Sequence, residues 1–217
     1  MFDRIAPRYD LLNRVLSLGR DASWRSRAVA LAGLRAGERA LDVGAGTGDL
    51  AFALAKAAPS GRVVALDLAL QMLFRARLRA DASVAFVVAS AEALPFADGP
   101  FACVVAGFAV RNFGDLPRAL RDMRRVLRPG GRAVVLELSL PPSPALRGLH
   151  RFYLHRVAPA IATVLGSSSE AYRYLPASIE AFLDPERLAE ALREAGFQRV
   201  RYERLTFGVA TIHVGEA

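Results

Sequence analysis

The chain has 217 residues, 53% of them hydrophobic and 23% charged, with a formal net charge of +8. That balance fits one folded domain with a sizeable core and excludes a disordered chain. No run of about 18 uncharged apolar residues is present to cross a bilayer, the charged first ten residues do not read as a secretory signal, and a single cysteine, Cys103, excludes an intrachain disulfide framework. A reducing, cytoplasmic setting is compatible with that usage. Lys56 is the only lysine, so the positive charge is nearly all arginine. A bias toward arginine, attraction to an anionic membrane surface and nucleic-acid binding are all open readings of that charge. The densest basic stretch, RDMRRVLRPGGR at 121–132, reads as a solvated helix face and the turn after it.

In chain order, residues 8–32 look helical and form an N-terminal cap, spanning 1–32 with the segment before it. ALDV at 40–43 reads as a strand, 49–58 as a helix ended by Pro59-Ser60-Gly61, 62–67 as a second strand and 70–79 as a helix. Third and fourth strands follow at 84–90 and 101–108, then a helix at 116–127 stopped by Pro129-Gly130-Gly131, then a fifth strand at 132–138. Continuous apolar strands spaced by helices predict a parallel sheet covered on both faces. PPSP at 141–144 is a linker into an insertion, 141–183, whose 145–165 segment has helical apolar spacing and a kink expected at Pro159. Asp184 and Pro185 open a helix that Gly196 closes. The runs at 197–206 and 208–216 read as an antiparallel hairpin at the sheet edge. The expected architecture is a single α/β domain over 1–217: a Rossmann-like seven-stranded sheet, mostly parallel with an antiparallel C-terminal strand, helices on both faces and a helical cap.

LDVGAGTGDL, residues 41–50, places Gly44, Gly46 and Gly48 between a strand and a helix. A dinucleotide turn has the spacing G-x-G-x-x-G and receives a pyrophosphate; here the spacing is G-x-G-x-G. Glycines alone make only a tight turn, but Asp67 ends the next strand, where an acid can accept both hydroxyls of a ribose. Asp67 could equally cap the helix after it. A resemblance to S-adenosylmethionine-dependent methyltransferases implies a methionine carboxylate and ammonium at this turn, which need backbone donors and nearby oxygens rather than a diphosphate cradle, and Asp42 could reach the ammonium directly or through water.

These residues resemble a class I S-adenosylmethionine-dependent methyltransferase, and SAEALPF (90–96), FACVV and LRPGGRAVVLE (127–137) extend the likeness. MFDRIAPRYDLLN (1–13), RNFGD (111–115), LELSLP (136–141) and YRYLPASI (172–179) narrow it to the ubiquinone/menaquinone biosynthesis C-methyltransferases, over essentially the whole chain. The resemblance implies that S-adenosylmethionine is the cofactor. Gly44, Gly46 and Thr47 would meet its methionine part, Asp67 its ribose, and Ser90 and Ala91 its adenine. It implies C-methylation of a prenylated quinol, with demethylmenaquinol the usual bacterial substrate. Two positions depart from the pattern: many members carry Asn or Asp where Ser90 stands, and some carry Ser where Gly107 stands.

A hydroquinone carbon is nucleophilic mainly when its neighbouring hydroxyl is ionised, and phenols have a pKa near ~10. Arg111 and Asn112 follow strand four at the carboxyl edge of the sheet, where such folds bind ligands. Arginine is no ordinary base, so Arg111 is expected to stabilise the developing phenolate and Asn112 to orient it. A turn-stabilising ion pair of Arg111, with Asp115 for instance, is the plainer reading. Tyr9, Asp10, His150, His155 and water are the candidate proton acceptors. No cluster has metal-ligand spacing, so no metal is expected.

Leu146, Leu149, Tyr153 and Ile161 form a stripe that could pack in the core, line a tunnel for the prenyl tail or rest on a bilayer. Arg147, Arg151 and Arg156 interleave with it, which suits anionic headgroups, so peripheral contact at the inner membrane surface is expected. The oligomeric state is left open, a homodimer included. Three alternatives stand against this reading: a nucleic-acid methyltransferase, a non-catalytic cofactor-binding homologue, and a nicotinamide oxidoreductase. Against the first, no N/D-P-P-Y-like motif lies at 107–115, and Cys103 sits mid-strand. The glycine spacing disfavours the last.

Overall fold

A computed structural model of the chain describes residues 17, 19–80, 83–160 and 176–217. The segment 1–16, with Tyr9, Asp10 and much of the expected cap, lies outside the described residues, as does 161–175, with Ile161 and the first half of YRYLPASI. The apolar runs become seven strands: β1 (Arg39–Val43), β2 (Arg62–Asp67), β3 (Val84–Val88), β4 (Phe101–Gly107), β5 (Leu127–Leu138), β6 (Gln198–Leu205) and β7 (Ala210–Glu216). The described helices include α1 (Asp21–Ala32), α2 (Asp49–Ala57), α3 (Leu70–Arg79), α4 (Leu116–Arg125), α5 (Pro144–Phe152) and α6 (Pro185–Glu194), and residues 176–181 are helical as well.

The strands form one sheet in the order β3-β2-β1-β4-β5-β7-β6. β7 alone runs antiparallel to its neighbours β5 and β6. Helices cover both faces. Leu120 and Met123 of α4 and Leu188 and Leu192 of α6 pack on Leu41, Val104 and Val135. On the other face, Trp24 and Ala28 of α1 and Leu50 and Leu54 of α2 pack on Val63, Val105 and Ile212. The order reverses between β1 and β4, which opens a crevice at their carboxyl ends.

Local signals explain most boundaries. Asp184 accepts from the Arg187 amide at 2.9 Å with Pro185 at the first turn, and Asp115 caps α4 the same way through the Arg118 amide at 3.0 Å. The hairpin differs from expectation in one respect: the last strand, β7, is buried inside the sheet and β6 forms the edge. The arginines and glutamate of β6 suit an exposed edge.

Three other expectations need correction. Leu127 belongs to β5, not to the helix: it pairs with Phe101, and residues 128–131 bulge out before Arg132 pairs with Cys103. Gly130 there has φ +71°, and a side chain on Gly131 would strike the Arg128 carbonyl, so Pro-Gly-Gly builds a bulge inside a strand. The 145–165 helix does not simply kink at Pro159. α5 widens into a π turn over Tyr153–Val157 and resumes at 158–160. A proline lacks the amide that would bond four residues back, and the wider turn one step earlier accommodates that loss. Finally, the described part of the stripe is not core: Leu146 and Leu149 are 39% and 64% exposed and Tyr153 is half-buried, while Leu154 and Ala158, off the stripe, are buried.

Candidate active site

The glycine turn begins where β1 ends. The Gly44 and Ala45 amides both donate to the Leu66 carbonyl of β2, at 2.8 and 3.0 Å, which folds the chain back across the strand ends. Gly44 has φ +73°, and a Cβ there would lie 2.5 Å from the Ala109 methyl. Position 44 is therefore closed to side chains both by conformation and by the close approach of the loop after β4.

Beside the turn lies a cleft of about 520 Å³, a size that suits a nucleoside-like ligand. Gly44, Gly46, Asp67, Ser90, Ala91 and Asn112 all line it, so the structure gathers six of the eight sequence-predicted site residues from four segments. Thr47 and Arg111 do not line it. Thr47 is buried, and its carbonyl accepts from Arg79 at 3.3 Å.

Asp67 is held at both oxygens: Oδ2 accepts from the Gly46 amide and Oδ1 from the Ala69 amide, each at 2.8 Å. The N-cap of α3 is Ala69, so Asp67 makes an Asx turn ahead of the helix rather than capping it. Asp42 is 1% exposed and lies beneath the turn. Neither of its oxygens has a hydrogen-bond partner among the described residues. Burial, and then the neighbouring Asp67 carboxylate, push its pKa up to about 7; the Ala51 amide offsets part of this without reaching hydrogen-bond geometry. An unpaired buried carboxylate next to a second one favours a cationic neighbour and repels a diphosphate. Asp42 does not itself line the cleft, so the fit to S-adenosylmethionine rather than a dinucleotide rests on the glycine turn and on Asp67, with Asp42 adding negative charge from below.

The loop after β3 is built by residues that sequence reading passed over. The Ser90 hydroxyl donates to the Glu92 carboxylate and accepts from its amide, so it is committed within the loop. Glu92 also receives the Gly114 and Asp115 amides at 2.7 and 3.1 Å, tying this loop to RNFGD. These bonds, that to Ser90 first, hold the Glu92 carboxyl below its usual range. Arg125 reaches the Phe96 and Leu94 carbonyls and the carboxylates of Asp98 and Asp122. Arg124 donates to the Gly196 carbonyl and Arg128 pairs with Glu38. The basic stretch is thus partly a set of clamps rather than only a solvated face.

Arg111 turns away from the cleft into an ion pair with Glu137 of β5; the side chains are 5% and 1% exposed. Its partner is not Asp115, which caps α4. Glu137 was missed, although an acid in the apolar run RAVVLEL was the available signal. Arg111 lines a second, smaller cavity with Asp21, Trp24, Phe108, His150 and Ile179. Phe108 borders both spaces and adopts φ +58°, which is rare for a bulky residue and recurs at functional sites. RNFGD, LELSLP and the described half of YRYLPASI thus all contribute to one region. His155 instead lies on the surface, 3.4 Å from Glu180. Cys103 is fully buried and its thiol is pushed up to about 12 by that burial, so it is no nucleophile. Among the described residues no group of acids, histidines and cysteines could hold a metal ion, and no helix is long and apolar enough to cross a membrane.

Sheet order, glycine turn and the acid that ends β2 together define a class I methyltransferase architecture. The chain belongs to the ubiE/COQ5 methyltransferase family, whose model matches residues 1–217. It is 52% identical to a demethylmenaquinone methyltransferase of Thermus thermophilus, with 100% of this chain and 99% of that protein covered. Identity to a demethylmenaquinone methyltransferase of Deinococcus radiodurans is 47%, covering 100% and 90%. A ubiquinone/menaquinone biosynthesis C-methyltransferase of Dinoroseobacter shibae is 41% identical, covering 99% and 88%. Among solved structures, a SAM-dependent methyltransferase from Thermotoga maritima matches with a TM-score of 0.68 at 21% identity, over 99% and 97% of the chains. The [4+2]-cyclase SpnF matches with 0.69 at 18%, over 92% and 81%. That a cyclase shares the architecture shows that fold alone does not choose the reaction.

Proposed function

We propose that this protein transfers a methyl group from S-adenosylmethionine to a ring carbon of demethylmenaquinol. The observation that carries the reading is full-length kinship with proteins named for that substrate, at 52% and 47% identity. S-adenosylmethionine supplies an electrophilic methyl carbon on a positively charged sulfur. The chain's own residues do the rest. Asp67, already fixed by two amides, receives the ribose hydroxyls, and Asp42 offers its charge to the ammonium. With the Ser90 hydroxyl committed to Glu92, adenine is met by the backbone around Ser90 and Ala91. Asn112 faces the cleft and orients the acceptor ring. Arg111, neutralised by Glu137, offers a directed N–H to the ring oxygen rather than a bare positive charge.

The acceptor's tail is membrane-borne. Leu149 and Phe152 on α5, close in sequence to Arg151 and Arg156, form the surface that meets anionic headgroups on the cytoplasmic side. Incubation with methyl-labelled S-adenosylmethionine and reduced demethylmenaquinone, the matching benzoquinol, or RNA tests the reading. Label is expected in the naphthoquinol ring. Transfer to RNA alone would end the proposal.

A further inference from the structure

Four polar residues line the cavity behind Phe108: Ser17, Asp21, Arg111 and His150. Ser17 donates to Asp21 at 2.9 Å, and the other Asp21 oxygen pairs with Arg25, so that acid is already engaged. Arg111 is tied to Glu137 through one terminal nitrogen, but its Nε is buried with no partner among the described residues. His150 Nδ1 is likewise buried with no partner there. The remaining lining, Trp24, Phe108, Leu138, Leu154, Ile179 and Val209, is apolar. The cavity thus retains one unpaired donor and one unpaired imidazole nitrogen in a greasy wall. Buried polar atoms of this kind are costly unless a ligand or water pairs with them. The free space is about 30 Å³, room for a hydroxyl-sized group and not for a ring.

A hydroxyl, unlike a bare carbonyl or ether oxygen, can answer both atoms, and in a cavity of this size it takes the place a water could fill. Its oxygen accepts from Arg111 Nε–H, and its hydrogen is donated to His150 Nδ1 in the tautomer that carries hydrogen on Nε2. A quinone oxygen could take only the first bond. We infer that this cavity binds the ring hydroxyl of the reduced acceptor and that His150 is the catalytic base that takes its proton. The inference rests on the proposed function for the acceptor's identity. In this step the O–H bond breaks, the N–H bond forms and the electron pair stays on oxygen, from where it activates the adjacent ring carbon. That carbon later sheds its own hydrogen as a proton, and His150 returns the first proton to oxygen, so the sum releases one proton. Burial holds the His150 pKa below its usual value, which keeps the ring neutral and able to accept at pH 7. The charged groups around it are Asp21 and Arg25 of α1, Arg111 after β4 and Glu137 of β5, with Arg151, His155, Arg156 and Glu180 on the neighbouring helical segments.

The test has a binding arm and a kinetic arm. Calorimetry on the whole protein compares 4-methoxy-1-naphthol, which has one free hydroxyl, with 1,4-dimethoxynaphthalene, which has none. The naphthol is expected to bind roughly tenfold more tightly to the native protein, and that preference to vanish in His150→Phe. With demethylmenaquinol, His150→Gln is expected to lower kcat by about 10²- to 10³-fold while leaving S-adenosylmethionine affinity unchanged. The deficit should narrow toward pH 10, where the quinol ionises unaided. Native-like kcat in both variants, a deficit flat from pH 6 to 10, or a naphthol preference retained in His150→Phe each overturns the role of His150. A native protein that methylates no quinol overturns the proposed function instead, while the two-ligand comparison still reads the cavity.

Discussion

The two spaces that meet at Phe108 are built in opposite ways. The cofactor cleft is made by backbone and strand ends: a turn whose amides hang on Leu66, and an acid locked by two further amides. The cavity behind it is made by side chains from α1, the loop after β4, α5 and the 176–181 helix, bound by a buried ion pair. A backbone-built site tolerates different side chains around it, so one fold can host a methyltransferase and a cyclase. A side-chain-built site ties its specificity to a few distant residues.

The sharpest way to break that contrast is at the ion pair. Arg111→Ala leaves Glu137 buried and uncompensated, which is expected to cost about 3–5 kcal/mol of stability. Adding Glu137→Gln should recover part of the loss. Thermal unfolding of the single and double variants measures both. A single variant that melts like the native protein would show that the pair does not hold the cavity together. It follows that lost turnover in Arg111→Ala is evidence about catalysis only at temperatures where the variant stays folded.

This contrast also explains what could be read from the sequence. Gly44, Gly46 and Asp67 could be assigned to one cleft because short-range rules act on contiguous residues, a strand, a tight turn, a helix and an acid at the next strand end, whereas Ser90 and Ala91, which line it too, came from the family resemblance alone. Glu137 and Arg111 are 26 positions apart and meet only because β4 and β5 are neighbours in the sheet. Nothing local announces that contact. Likewise the Pro-Gly-Gly stop became a bulge because strand pairing with β4 captured Leu127, a tertiary effect that overrides a local breaker. Thr47 stands apart: the family resemblance pointed it to the ligand, and in the structure it is buried within the turn and is not among the residues that line the cleft.

On the cleft side, two glycines of one turn should respond differently. Gly44→Ala places a methyl 2.5 Å from Ala109 in a left-handed conformation, whereas Gly46→Ala meets nothing within 4 Å and bears only the strain of φ +55°. Gly44→Ala is expected to weaken S-adenosylmethionine binding by about 100-fold, and Gly46→Ala to destabilise the fold by about 1 kcal/mol from backbone strain. Calorimetry and melting of the two variants check the difference. Equal losses of affinity would mean that conformation, and not the approach of the Ala109 loop, excludes side chains from the turn.

The smallest effect expected comes from Asp42, which links stability to binding. Its pKa in the folded protein is raised from 3.8 to about 7, so the folded state holds a proton that the unfolded state has released. The stabilising contribution of the protonated form is complete below pH 3.8 and is lost as pH rises through about 7. Above that, the unliganded protein keeps a buried charge without a hydrogen-bond partner among the described residues. Asp42→Asn should therefore raise the stability of the unliganded protein at pH 7.5 by about 1 kcal/mol or more. The cofactor's ammonium favours the ionised acid, so native affinity should rise roughly fivefold to tenfold from pH 6 to 7.5 and release protons on binding in that range. Asp42→Asn should bind more weakly at pH 7.5 and show a flatter profile. Calorimetry in buffers of different ionisation enthalpy reads affinity and proton release together. Identical profiles in the two proteins would assign the pH dependence to another group and leave Asp42 a purely structural acid beneath the turn.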